Sequence, residues 1–184
     1  MIHDSIFSLH FEMAYKAKLP LFLHHRACHQ DFMEIVRENG HLIMPCGNGE
    51  LAAAVHSFTG DVREMQELVD FGFFIGVNGC SLKSEENLKM IAAIPLHRIL
   101  LETDAPWCQV KASHAGYTAA SPPTWSSVKK EKWNCSSMIK GRNEPCLITQ
   151  VSEIVAKTKG IEEQVLIEAA FENTLRCFKL QIEK

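Results

Sequence analysis

Two carboxylates stand one residue apart at the end of a short apolar run. The run covers residues 98–101, and Glu102 and Asp104 follow before Ala105-Pro106 ends the segment. Because residues i and i+2 share one face of a strand, we predict that both carboxylates point the same way. A carboxylate at the end of a buried strand is costly unless a metal, a proton or a donor satisfies it. The pattern therefore predicts an active site at the carboxyl edge of a parallel sheet.

Two earlier segments that read as strands end in a histidine. Alternation along Leu19–His24 and Leu51–His56 places His24 and His56 on the inward face of their strands. Two neutral imidazoles and Asp104 form a plausible ligand set for a divalent metal such as Zn, Mn, Fe or Ni. A single buried histidine is more often a ring bonded to the backbone, but three such residues at successive strand ends favour a site.

The elements that must position these residues alternate between helix and strand. Strands are predicted over Leu19–His24, Leu51–His56, Phe73–Val77 and Arg98–Asp104. Helices are predicted over Asp4–Ala17 (with Ile6, Leu9, Met13 and Ala14 as its apolar positions), Cys28–Glu38 and Asp61–Val69, after the cap Ser84, and in two closing segments divided at Gly160. This alternation predicts one α/β domain, residues 1–184, with about four βα units of a TIM-type barrel and carboxyl-terminal helices.

The composition excludes some classes of protein but does not identify the function. The 184 residues carry a net charge of −3, so no overall basic field recruits nucleic acid. The segment 107–142 breaks the helix–strand rhythm, reads as a long loop over the site, and carries six basic residues against Glu131 alone. Seven cysteines without a C-x-x-C pair indicate reduced thiols, and no apolar run is long enough to span a membrane. We therefore expect an intracellular protein, nuclear or cytoplasmic.

Several polar residues near the strand ends have two interpretations each. Arg26 either binds a phosphate or pairs with an acid, and Lys111 and His114 either contact an anionic substrate or lie in a solvated loop. Trp125 and Trp133 either stack against bases or anchor the long loop, which is the commoner role.

The remaining candidates are predicted to stay outside the chemistry. Cys80 and Cys108 have no evident base partner, which argues against a thiol nucleophile. His25 points away from His24 toward a helix or solvent, and His29 is expected at the surface.

Four segments together resemble the TatD-type deoxyribonucleases. They are Leu19–Arg26 (LPLFLHHR), Val55–Gly60 (VHSFTG), Leu101–Trp107 (LETDAPW) and Arg142–Pro145 (RNEP). The Ser81–Lys83 turn and the Lys111–Gly116 stretch are most similar to the eukaryotic TatD-like members.

The resemblance implies a TIM barrel of the amidohydrolase type that hydrolyses DNA, with 3′-exonuclease activity in the family. It implies that His24, His56 and Asp104 ligate the metal (Mg, Mn or Zn), that Asp104 also accepts a proton from the attacking water, and that Glu102 supports the site.

One departure from the family pattern lowers the expected activity. The family's barrel opens with a strand bearing an H-x-H pair, and a later strand supplies a bridging glutamate, but no H-x-H occurs in this sequence. A TIM barrel typically needs ~250 residues. The chain therefore looks like a shortened form that lacks the amino-terminal part of the barrel, and we expect DNA hydrolysis by this chain alone to be weak or absent.

Two other functions stay open at this point. One is an amidohydrolase-type enzyme acting on a small ester, lactone or amide, since fold alone does not decide the substrate. The other is a non-catalytic protein that binds partners through an exposed barrel edge.

Overall fold

The structure is a computed structural model that describes residues 2–122 and 125–182. Helices and strands alternate as the sequence predicts, and two helices close the chain. The helices are α1 (Ile2–Ala17), α2 (His29–Asn39), α3 (Val62–Phe71), α4 (Glu85–Ala93), α5 (Ile148–Lys159) and α6 (Glu163–Cys177). The strands are β1 (Leu21–His24), β2 (Pro45–Gly47), β3 (Glu50–Leu51), β4 (Ala53–His56), β5 (Phe74–Val77), β6 (Ile99–Leu101), β7 (Ser127–Val128) and β8 (Met138–Ile139).

Four parallel strands form the central sheet in the order β1-β4-β5-β6. Each strand pairs with the strand of the preceding βα unit, which is the arrangement that short right-handed crossovers produce. Within the described residues the sheet stays open and does not close into a cylinder through hydrogen bonds. The predicted α/β architecture of about four βα units is thus confirmed.

The two faces of this sheet have different neighbours. On the helix face, Leu23, Val55, Ile75 and Ile99 are buried in one core with apolar residues of the flanking helices. The other face, which we call the open face, begins with Phe22, whose side chain is 59 % exposed. Farther along the sheet the open face is covered, because Ala54, Phe74 and Leu100 pack with Cys177 at the end of α6. Burying alternate residues on each side fixes which side chains reach the open face at the strand ends.

A buried ion pair attaches α6 to the short hairpin of β2 and β3. Both carboxylate oxygens of Glu50 accept hydrogen bonds from Arg176 Nη1 at 2.9 Å, and the Glu50 side chain is 2 % exposed. Arg98 Nη1 lies 4.0 Å from the same carboxylate and donates to the Gly72 carbonyl at 2.9 Å. The carboxyl-terminal helix is therefore anchored by charge as well as by apolar packing.

Three sequence predictions about these elements were wrong in detail. The strand predicted over Leu51–His56 is divided, because the Gly47-Asn48-Gly49 turn, with positive φ at all three residues, creates a hairpin before β4. The last strand of the sheet ends at Leu101, well before Asp104. In α1 the predicted apolar positions Ile6, Leu9 and Met13 are exposed, while Phe7 and Phe11 pack on the core.

The segment 107–142, of which residues 123–124 lie outside the described residues, has little regular structure. It contains two short 3-10 helices, Ala115–Ala119 and Lys130–Lys132, and the two-residue parallel pair of β7 and β8. None of the helices in the described part of the chain combines the length and apolar composition that crossing a bilayer requires.

Candidate active site

Two imidazoles lie side by side at the carboxyl ends of neighbouring strands. His24 of β1 and His56 of β4 are register partners in the parallel ladder, and their ring centroids are 5.7 Å apart. His24 is exposed on the open face, while His56 is half-buried beneath the Phe22 ring, 4.7 Å away. Backbone pairing therefore brings together the two histidines that the sequence analysis selected.

Glu102 holds the His56 ring from one side. Its Oε2 lies 2.7 Å from His56 Nδ1, and its Oε1 accepts a hydrogen bond from the Ser57 backbone N–H at 2.5 Å. Gly76 makes room for this carboxylate, because a Cβ at that position would come within 2.7 Å of Glu102 Oε1. A carboxylate on Nδ1 leaves Nε2 of His56 unprotonated and directed away, which is the arrangement of a metal-ligating histidine. The donor types of His24, His56 and Asp104 suit a divalent cation. Within the described residues, however, their ligand atoms do not all lie within 4.8 Å of one another, so binding one ion requires these side chains to move closer together.

Asp104 reaches the same region by a different route from the one predicted. It lies beyond the end of β6 with a left-handed backbone (φ +52°), so strand alternation does not set its direction. Its Oδ2 accepts from Cys108 Sγ at 3.3 Å. The turn around it is fixed by buried Asn143, whose side-chain amide donates to the Thr103 carbonyl at 2.8 Å. Asn143 belongs to the RNEP segment, which the sequence predicts to start a helix with Asn143 as the cap; the 3-10 helix Pro145–Leu147 does follow, but Glu144 is its cap residue and Asn143 binds Thr103.

A cleft of about 230 Å³ borders this region. His24, Asp104 and Arg26 all line it, so the structure brings together these three predicted site residues. Lys83 also lines the cleft, and sequence reasoning had noted it only as part of a turn. Two cationic side chains lining the same cleft as His24 and Asp104 are suited to an anionic substrate.

The other two predicted substrate contacts lie outside the lining of this cleft. Lys111 is exposed, and His114 is buried with its Nδ1 lacking a hydrogen-bond partner. Burial lowers the pKa of His114 below its usual range, and the nearby Lys83 and Lys111 lower it further. His114 is therefore a neutral imidazole near pH 7.

Two thiols of the cleft are close together, and the pKa of one of them is strongly raised. Cys80 Sγ and Cys108 Sγ are 2.7 Å apart. Burial raises the pKa of Cys108 to about 12, with hydrogen bonds to Cys80 and Asp104 acting in the same direction. A thiol with this pKa stays protonated at neutral pH, which agrees with the sequence argument against a cysteine nucleophile.

His25 points toward a helix as predicted, whereas His29 does not lie at the surface. His25 is only 3 % exposed and packs against Phe32 and Phe58 on the helix face, with ring centroids 5.1 and 5.4 Å away. The His29 side chain is 9 % exposed, so the prediction of a surface histidine was wrong. The reason is that α2 begins at His29 and packs its first turn against α3, where Glu67 lies 3.2 Å from His29 Nε2.

The two tryptophans of the long segment, Trp125 and Trp133, are each about half exposed. They line a surface groove of about 420 Å³ together with Met138. Both indole rings line the same groove, and base stacking and loop anchoring stay predictions for them.

Comparisons with known proteins agree with this geometry. Residues 2–179 match the family model of TatD related DNases. The Deoxyribonuclease Tat-D of Schizosaccharomyces pombe is 44 % identical over 175 residues, which cover 95 % of this chain and 54 % of that protein. The 3′-5′ ssDNA/RNA exonuclease TatD of Erwinia tasmaniensis is 29 % identical, covering 95 % of this chain and 58 % of that protein.

A solved structure extends the match to the fold. The crystal structure of an uncharacterized amidohydrolase from Saccharomyces cerevisiae superposes with a TM-score of 0.83 at 33 % identity, over 95 % of this chain and 59 % of that one. The chain thus spans about half the length of the curated relatives it matches. The family match over residues 2–179 and the relative at 44 % identity establish that this chain belongs to the TatD-related DNase family.

Proposed function

We propose that this chain supplies part of the active site of a metal-dependent deoxyribonuclease. His24, His56 and Asp104 are the metal ligands, and Glu102 is the residue that positions His56. The observation that carries the proposal is the register pairing of His24 with His56, combined with the 2.7 Å contact between His56 Nδ1 and Glu102. This contact selects the His56 tautomer that ligates a cation.

The cofactor is a divalent cation, with Mg, Mn and Zn as the candidates. Such a cation, when bound, polarises the scissile phosphate and makes an adjacent water more acidic. The chain's own contribution is to hold the two imidazoles at a fixed spacing and to place Asp104 at the cleft. Asp104 would accept a proton from the water that attacks the phosphodiester phosphorus; the bond from phosphorus to the leaving sugar oxygen breaks, and that oxygen takes up a proton from solvent.

The substrate is DNA, cleaved from the 3′ end. Arg26 and Lys83 at the rim of the cleft bind backbone phosphates, and exposed Lys111 adds positive charge to the following loop. His114, which lies near Lys83 and Lys111, is the third residue that we assign to substrate binding. Seven free cysteines agree with a reducing compartment, and we place the protein in the nucleus or cytoplasm.

The decisive experiment measures metal binding and DNA hydrolysis on the same protein. We expect one bound Mn²⁺ per chain to be lost in the variants His24→Ala and Asp104→Asn and retained in Asp70→Asn, a matched change at an exposed carboxylate of α3. Hydrolysis of 5′-labelled single-stranded DNA by the chain alone is expected to be slow or undetectable, because the sequence has no H-x-H pair to complete the ligand set. Any hydrolysis that does occur must disappear in Asp104→Asn.

Three outcomes would contradict these statements. Equal metal content in wild type, His24→Ala and His56→Ala would favour a non-catalytic binding protein. Turnover of small esters, lactones or amides without any nuclease activity would favour a different amidohydrolase. Rapid DNA degradation that Asp104→Asn abolishes would support the chemistry but refute the expected weakness of this chain.

A further inference from the structure

A second cluster of ligand-type side chains lies on the helix face, behind His24. His25 follows β1, His29 begins α2, and Glu64 lies in the first turn of α3. One ligand atom from each residue lies within 4.8 Å of the other two. Among residues 2–122 and 125–182, this is the one group of three or more histidine, cysteine, aspartate and glutamate residues that meets this condition.

The two imidazoles of the cluster face each other through ring nitrogens. His25 Nε2 and His29 Nδ1 are 3.1 Å apart, and the other nitrogen of His29 contacts Glu67 Oε2 at 3.2 Å. In the tautomer of His29 that donates from Nε2 to Glu67, Nδ1 carries a lone pair that faces His25 Nε2. In that arrangement the two rings share one hydrogen bond, with the proton on His25 Nε2.

A metal ion in place of that proton meets good geometry. Two nitrogens bound to one tetrahedral Zn²⁺ at ~2.05 Å lie about 3.3 Å from each other. The observed separation of 3.1 Å is close to this edge length. The two nitrogens are therefore already near the spacing that one tetrahedral ion requires, and the ligand atom of Glu64 lies within 4.8 Å of both.

Glu64 completes the donor set, and its surroundings leave room for its carboxylate. Its backbone N–H donates to the capping side chain of Asp61 at 2.8 Å, which fixes the first turn of α3. A Cβ atom at position 60 would clash with Glu64 Oε2, and Gly60 has no Cβ atom. Two histidines and one glutamate form a ligand set that Zn²⁺ uses with a fourth position open. Glu67 serves as the outer carboxylate that orients a ligating histidine.

We propose that His25, His29 and Glu64 form a Zn²⁺ site separate from the His24, His56 and Asp104 set. The site joins the end of β1 to the first turns of α2 and α3. His24 and His25 point to opposite faces of the sheet, so the two ligand sets lie on different sides of it. His25 also lines the 230 Å³ cleft, which gives the ion a path from solvent.

The test measures bound zinc per chain by equilibrium dialysis and elemental analysis. The double variant His24→Ala with Asp104→Asn disables the first ligand set, and we expect it to retain one zinc. Adding Glu64→Gln to this background should lower the zinc affinity at least tenfold, whereas adding His41→Gln, a change at an exposed histidine, should leave it unchanged. Absence of zinc from the double variant, or equal affinity after Glu64→Gln, would overturn the proposal.

A second measurement avoids dependence on the folding of variants. In the wild-type chain with ¹⁵N-labelled histidine, Zn²⁺ added beyond two equivalents should shift the ring nitrogens of His25 and His29 as well as those of His24 and His56, and leave exposed His41 and His97 unchanged. Shifts confined to His24 and His56 would show that His25, His29 and Glu67 form a hydrogen-bonded chain without a metal. This outcome would leave the nuclease proposal intact, so the two proposals fail independently.

Discussion

Replacing Glu102 with glutamine tests how the candidate active site is oriented. Glutamine has nearly the same shape, and its amide oxygen still accepts the Ser57 backbone N–H that Glu102 now accepts at 2.5 Å. Its NH2 group, however, faces His56 Nδ1, where the carboxylate oxygen stood 2.7 Å away. The amide donates to Nδ1, and the His56 proton moves to Nε2. The nitrogen that would bind the cation is then blocked.

The expected loss follows from the role of such outer carboxylates. Removing the orienting partner of a metal-ligating histidine costs 10–100-fold in affinity, which is about 1.4–2.8 kcal/mol. We expect the value to lie toward the upper end, because Glu102→Gln changes the tautomer as well as the ring orientation. The fold should tolerate the change, since the backbone hydrogen bond to Ser57 is kept.

The assay is a titration of Mn²⁺ followed by electron paramagnetic resonance of the free ion. Both wild type and Glu102→Gln are measured in the His29→Gln background, which removes the second proposed site from the signal. Glu12→Gln, at a surface carboxylate paired with Lys16, is the matched control. Equal Mn²⁺ affinity in the two proteins, or an equal loss in the control, would refute the assigned role of Glu102.

Three further changes have predictable results. Glu50→Gln should lower the free energy of unfolding, measured in urea, by about 3 kcal/mol, because it leaves Arg176 without its buried partner. Burial raises the pKa of Cys177 from 9.0 to about 12, so the folded thiol keeps a proton that the unfolded one loses. Between pH 9 and 12, stability should therefore fall by roughly 4 kcal/mol more in the wild type than in Cys177→Ala, where the contribution of Cys108 remains. Gly76→Ala should displace Glu102 and weaken Mn²⁺ binding.

Period-two alternation located the two histidines correctly because it is a local property of each strand. The parity of Phe22 and His24, and of Ala54 and His56, puts both imidazoles on the open face. The same reasoning gave the wrong route for Asp104, because alternation stops where the strand stops and φ becomes positive. A single non-glycine residue in the left-handed region has no clear sequence signal.

Helical spacing did not decide which face of α1 is buried. In α1 the residues Ile6, Leu9 and Met13 form one apolar stripe, and Phe7 and Phe11 form another. The core buries the second stripe, where the Phe7 and Phe11 rings lie 5.1 Å apart. Tertiary packing decides between two stripes of similar hydropathy, and periodicity alone does not.

The cluster of His25, His29 and Glu64 could not have been found by spacing. Its members come from the end of a strand and from the first turns of two different helices. Their approach depends on how α2 and α3 cross the same sheet. Contacts of this kind are set by packing between elements and not by any pattern within one element.

The register between β1 and β4 has a consequence for how this scaffold tolerates change. Four successive residue pairs, from Leu21 with Ala53 to His24 with His56, are locked by main-chain hydrogen bonds. Insertions in the loops at either end leave that ladder untouched, so the imidazole spacing should survive wide variation in loop length. A one-residue slip within the ladder would instead exchange His24 for Leu23 or His25 on the open face. Engineering of new specificities should therefore alter the loops and leave these eight positions alone.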